Sequence, residues 1–185
     1  MGKIRNPTPV KPFIGVLTSL PKILPRAQER LAELLGAVDA CSELFPFDLT
    51  HYYDTSMGTP IYRCFMNFAE LIEPETIADI KIKTNALESA FAEEFRSVQR
   101  PINLDPGYME ESKIVLASTK NFYHRILISR GIYAEVTLHF EKGEWRSFPW
   151  TFPDFKSDRY HAFFLSAREK YREQIADFRL PISEK

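Results

Sequence analysis

The sequence predicts an α+β fold in which a ferredoxin-like βαββαβ core is extended by an antiparallel three-stranded meander and a C-terminal helix. Three observations predict it. Apolar runs of strand length alternate with helical periodicity as far as Asp105, a strict period-two alternation fills residues 132–141, and a long helical stripe closes the chain.

Residues 12–18 (PFIGVLT) form a short apolar run closed by Ser19, Leu20 and Pro21, the pattern of a central strand. Pro25 suits a first helical turn, where its missing N–H costs nothing. Ala27, Leu31, Leu34 and Leu35 then share a face, and Gly36 supplies the stop. Residues 43–49 (ELFPFDL) and 61–68 (IYRCFMNF) are rich in aromatic rings and read as strands, with Pro46 pushing the first to an edge or a bulge. Glu73, Pro74 and Glu75 open a second helix, along which Ile77, Ile80, Thr84, Leu87, Phe91 and Phe95 recur at helical spacing. Residues 101–105 (PINLD) supply the strand that completes the βαββαβ unit, and the apolar run 113–119 (KIVLAST) favours a further strand over the short helix that periodicity alone also allows.

In the second half, Ile132, Ala134, Val136, Leu138 and Phe140 alternate with Tyr133, Glu135, Thr137, His139 and Glu141. Arg130-Gly131 before this strand and Lys142-Gly143 after it read as two-residue hairpin turns, which together make the meander. Asp158 suits the cap of a last helix whose apolar stripe is Tyr160, Phe163, Phe164, Ala167, Tyr171, Ile175 and Phe178. Residues 1–11 and 181–185 are expected to be flexible ends.

The 185 residues fit one domain, and a chain 44% hydrophobic and 26% charged has the balance of an ordinary folded protein. With 15 Phe and 8 Tyr, the core is expected to be built of rings. A formal net charge of -1 gives no global field toward nucleic acid or anionic lipid, so any such binding needs a local patch. No run approaches the ~20 apolar residues that span a bilayer and no signal sequence is evident, so a cytoplasmic protein is expected. Cys41 and Cys64 lack CxxC spacing and read as two buried thiols. His51, His124, His139 and His161 form no HxxxH pair, so no metal site and no cofactor is signalled.

If both hairpin turns hold, register follows by counting: Ile126 faces Glu135, His124 faces Thr137, His139 faces Arg146 and Glu135 faces Trp150. One face of this sheet, with Leu127, Ala134, Val136 and Leu138, is then core. The other gathers His124, Glu135, Thr137, His139, Arg146 and Trp150. Arg146 suits an anion, Trp150 a stacked ring, and Glu135 with His124 proton transfer. The same set also suits a sheet face simply turned to water.

Three further segments carry chemistry. Residues 103–108 (NLDPGY) read first as a turn, with Asp105 at its opening position; Asp105 is also a carboxylate available to a proton or a metal. Ser118, Thr119, Lys120, His124 and Arg125 form a hydroxyl-rich, basic run suited to a phosphate. Asp48, His51, Tyr52, Tyr53 and Asp54 give the first long loop the make-up of a binding rim.

The strings FPFDLTHYYDTSMG (45–58), NLDPGY (103–108), ASTKNFYHRI (117–126), GIYAEVTL (131–138) and FPWTFPDF (148–155) resemble the signature blocks of a prokaryotic family catalogued as domain of unknown function 4416. The blocks span nearly the whole chain. The resemblance implies a single-domain protein and carries no reaction with it, and the chain has no GxxxxGK[ST] loop.

Two functions remain in view. In the first, Lys120, Arg125, Thr137, His139, Arg146, Trp150 and Tyr53 hold a small anion, a nucleotide or phosphoester, with Glu135, His124 and Asp105 as acid/base groups. In the second the chain is a non-enzymatic interaction module for RNA or protein, in which Tyr52, Tyr53, Tyr133 and Trp150 stack on bases while Arg63, Arg125 and Arg146 meet phosphates.

Overall fold

Nine strands form one open antiparallel sheet, ordered β2-β4-β1-β5-β6-β8-β7, with β3 added to β4 and β9 to β8. The computed structural model describes residues 2–176. In chain order the elements are β1 (Lys11–Thr18), α1 (Leu24–Leu35), β2 (Val38–Cys41), β3 (Phe45–Pro46), α2 (Asp54–Met57), β4 (Tyr62–Phe68), α3 (Ile77–Glu94), β5 (Asn103–Met109), β6 (Lys113–Ser118), β7 (Ile126–Ser129), β8 (Ile132–Glu141), β9 (Glu144–Ser147) and α4 (His161–Gln174). The α+β class stands.

The central strand β1 is buried along all its length and separates two cores. Ile14 and Val16 point to α1 and α3, where Leu31, Ile77, Ile80, Phe91 and Leu104 pack with them. Phe13, on the other face, meets Phe65, Phe155, Tyr160 and Phe164 beneath α4. Rings dominate this second layer: Phe164 lies 4.9 Å from Phe65 and 5.3 Å from Phe13, both edge-on, the geometry that aromatic quadrupoles favour. The stripe expected of the last helix therefore covers the sheet through Tyr171 and Ile175, while Phe178 and residues 181–185 lie outside the described residues.

Several expectations are corrected. The strand drawn over residues 43–49 shrinks to the two residues of β3, because Pro46 cannot donate to a ladder, and the four-residue β2 takes the place beside β4 instead. Residues 103–108 are not a turn but most of β5, which pairs with β1 from Asn103 to Met109. Asp158 does not cap α4: it begins a 3₁₀ turn whose cap position is Ser157, and no side-chain capping bond forms. Cys64 is buried but Cys41 is exposed on the edge strand β2. Val10 and Lys11, assigned to a flexible arm, are buried; Val10 bridges to Ile72, and Lys11 gives its ammonium to Asp39, the Phe68 carbonyl and Gln174.

Both hairpin turns form, with positive φ at Arg130 (46°), Gly131 (76°), Lys142 (52°) and Gly143 (89°), as two-residue turns of the primed kind require. The three strands they join are nevertheless not a meander. Tyr133 and Ala134 pair with both β6 and β7, and Leu138 and His139 with both β6 and β9. A strand has only two hydrogen-bonding sides, so β7 and β9 lie along the same side of the long β8 and β6 along the other. A shift in β7 between Leu127 and Ser129 sets Ile126 opposite Ala134 rather than Glu135. Leu127, expected in the core, is exposed with Ile126 and Ile128, because β7 is an edge of the sheet.

Candidate functional site

β5 and β6 part in mid-sheet, and the cause is local sequence. Gly107 pairs with Leu116, and the ladder ends there because the preceding residue, Pro106, has no N–H to offer. Gly107 is needed at the closing point: a Cβ on it would lie 2.5 Å from Phe13 and 2.6 Å from the Val115 carbonyl oxygen. The gap so left between the first half of β5 and the end of β6 becomes a cavity of about 140 Å³.

Five cationic side chains, Arg63, Lys81, Arg100, Lys120 and Arg125, line it against two carboxylates, Asp105 and Glu135. They come from separate elements. Arg63 stands on β4, and Asp105 on β5. Lys81 enters from α3 on the opposite layer, and Glu135 comes from β8. Lys120 and Arg125 belong to the segment before β7. Tyr53, Phe152 and Phe155 add aromatic walls.

Arg63 is 3% exposed and engaged on both sides, with Nη1 3.0 Å from Asp105 Oδ2 and Nε 3.2 Å from Asp154 Oδ2. Burial opposes its charge, but Asp154 and Asp105 outweigh that and hold its pKa above the ordinary value. Burial likewise opposes the charge of Asp105, and Arg63 with Lys81 overcomes it, keeping the carboxyl below its usual range. The Tyr53 phenol is pushed up to about 12 by burial and by Asp105, so it stays a neutral donor.

Glu135 is 5% exposed and accepts from Arg125 Nε at 2.6 Å; His124 Nε2 lies 2.9 Å from the same oxygen. This carboxylate thereby ties the segment before β7 to the sheet, while Arg125 Nη1 adds bonds to Ser118 Oγ and the Lys120 carbonyl, each 3.0 Å. Lys81, 6% exposed, donates from Nζ to the Leu104 carbonyl at 2.8 Å and approaches Asp105 Oδ1 at 4.0 Å. Arg100 Nη2 binds Glu88 Oε2 at 2.7 Å and also contacts Asn103 Oδ1. Arg100 thus bonds through Nη2, and Arg125 through Nε and Nη1.

The sequence-derived set divides. Asp105, Glu135, Lys120, Arg125 and Tyr53 meet at this cavity, and His124 adjoins it through Glu135. Thr137 is buried, its hydroxyl 3.3 Å from Glu135 Oε1. Trp150 is stacked between His124 (centroids 5.5 Å) and Phe148 (4.7 Å), and its Nε1 donates to the Val136 carbonyl; it makes no ladder pair with Glu135. His139 and Arg146 do pair, but they line a separate groove with Glu141, Glu144, Lys156 and His161. The separation has a cause: pairing of β6 with β8 skips Thr137, so alternation slips by one residue between Glu135 and His139.

Counting along hairpins did not find Lys81, Arg100 or Phe152. Lys81 had a signal: it stands four residues after Ile77, on the stripe that α3 buries. Arg63 likewise stands as a charge on a strand that is buried from Arg63 to Phe68. A charge in a buried register needs a partner, and here the partner is a cavity wall.

No helix among the described residues is long and apolar enough to cross a membrane, and no group of three His, Cys, Asp or Glu among them could hold a metal ion. No curated protein and no solved structure matches the chain. One family model does, across residues 8–171, and the chain therefore belongs to the family described as domain of unknown function (DUF4416).

Proposed function

We propose that the cavity between β5 and β6 binds a small phosphate-bearing anion. The observation that carries this reading is that five cationic side chains and two carboxylates line one cavity. Buried charge is costly unless paired, and Arg63 is paired with Asp105 and Asp154, Arg100 with Glu88 and Arg125 with Glu135, while Lys120 gives its bond to a neutral phenol, Tyr52. A phosphoryl group presents three strong acceptors, which a guanidinium meets as a fork and an ammonium as a point charge. Acid/base work, if the ligand is also a substrate, falls to the His124 and Glu135 pair and to Asp105, the carboxylate nearest Lys81.

A thermal-shift panel of inorganic phosphate, ribose 5-phosphate and glycerol 3-phosphate tests it. A ligand at 100 times its Kd adds about 2.7 kcal/mol of stability, a plain rise in Tm. No rise with any of the three at 10 mM contradicts the proposal.

A second reading, the interaction module, has one observation in its favour: the edge strand β7 exposes Ile126, Leu127 and Ile128, with Phe122 and Tyr123 just before it. Pairing of β7 with β7 of a second copy would cover them. Sedimentation of the wild type and of Ile126→Lys distinguishes a dimer lost on substitution from a monomer throughout. We also propose that β3, β4, β1 and β5, neighbours in that order and bridged by α1 and α3, form the ferredoxin-like unit.

A further inference from the structure

We infer that the ligand of this cavity carries a planar aromatic ring beyond its phosphate and is of the nucleoside monophosphate class. The inference rests on the phosphate reading above and adds what lies outside the cavity.

At about 140 Å³ the space is close to an engineered cavity of about 150 Å³ that takes one benzene. It admits a phosphate with a few attached atoms, so the rest of any larger ligand stays at the mouth. Two exposed rings stand at the mouth. Phe152 lines the cavity and yet is 37% exposed. Tyr52 is 63% exposed and abuts two lining residues: its ring lies 4.8 Å from Tyr53, edge-on, and its hydroxyl accepts from Lys120 Nζ at 2.7 Å. Trp150, by contrast, is matched with Phe148 and His124, and the exposed Phe122 and Tyr123 contact each other and do not line the cavity.

An aromatic ring left in water beside a cation-lined cavity offers a planar partner a stacking face, whereas a sugar phosphate would leave Tyr52 and Phe152 as wet as before. Stacking of a base on an aromatic side chain tolerates any base, because every base has a π-face. The class follows from the combination: phosphate inside, ring outside, and a short linker such as a ribose between them.

The test is isothermal titration of ribose 5-phosphate, AMP and GMP into the full chain and into Tyr52→Ala, Tyr52→Phe and Phe152→Ala. The expected result is that a nucleotide binds at least tenfold more tightly than ribose 5-phosphate, a difference of 1.4 kcal/mol. Tyr52→Ala should erase most of that ratio while ribose 5-phosphate keeps its wild-type affinity, Phe152→Ala should lower the ratio, and Tyr52→Phe should preserve it. Equal affinities for all three ligands would overturn this inference and leave the phosphate reading standing. So would a Tyr52→Ala protein that binds sugar phosphate and nucleotide with the same fold loss. Absence of binding by all three ligands would overturn both.

Discussion

Arg63 of β4 reaches Asp105 of β5 across the whole width of the strand between them, Nη1 to Oδ2 at 3.0 Å. The crossing is possible because the intervening residue is Gly15, which pairs with Asp105: a Cβ there would lie 3.1 Å from Arg63 Nη1 and 3.2 Å from the Phe65 ring. This ion pair floors the cavity, so Arg63→Met strands two carboxylates, Asp105 and the buried Asp154. We expect a loss of about 3–5 kcal/mol in urea unfolding, as for other buried pairs broken on one side. A loss below about 1 kcal/mol would show that water reaches both carboxylates.

The two close-packed glycines should differ in a definite order. Gly107→Ala drives a methyl against a backbone oxygen at 2.6 Å, whereas Gly15→Ala meets side chains alone, Arg63 Nη1 at 3.1 Å and the Phe65 ring at 3.2 Å. Gly107→Ala is expected to destabilise by about 1–3 kcal/mol, the cost of overpacking, and Gly15→Ala by less. The reverse order in denaturant midpoints would place the tight point of the sheet elsewhere.

The aromatic layer under α4 makes a further prediction. Phe164 is fully buried against Phe13 and Phe65, so Phe164→Ala should cost about 3–5 kcal/mol through the cavity it leaves. An undiminished Tm would refute the packing described.

Asp105 links stability to pH. Its folded carboxyl titrates below the ordinary 3.8, so the unfolded chain binds the extra proton first and stability falls as the medium is acidified through that range. The stabilisation is fully present above the unfolded value and is lost as pH falls through the folded one. Urea midpoints should drop between about pH 5 and pH 3, and Asp105→Asn should flatten the drop. An unchanged slope in the variant would mean that other carboxylates govern the acid limb.

Much of this architecture is legible in the sequence, for stated reasons. The ten-residue alternation of β8, the stripes of α3 and α4 and the two positive-φ turns are local patterns, and each forms where the pattern lies. The string Asn103 to Tyr108 was harder, because Asp, Pro and Gly in succession are turn chemistry by themselves; here Pro106 ends one ladder and Gly107 permits a close approach, while β1 holds the segment extended. The cavity was half legible: Asp105, Lys120, Arg125, Glu135 and Tyr53 stand out as polar groups, but what brings them together is the parting of β5 from β6, a long-range event. Counting places His139 and Arg146 in the same set because a bulge at Thr137 is invisible to it.

The most direct measurement is calorimetric titration of ribose 5-phosphate into the wild type and into Lys81→Met, which keeps the buried stem and deletes the charge that α3 sends into the cavity. The account predicts saturable binding to the wild type and an affinity at least tenfold lower, about 1.4 kcal/mol, in a variant whose Tm shows it folded. Equal affinity in both proteins, or no binding to the wild type at 10 mM ligand, would contradict it.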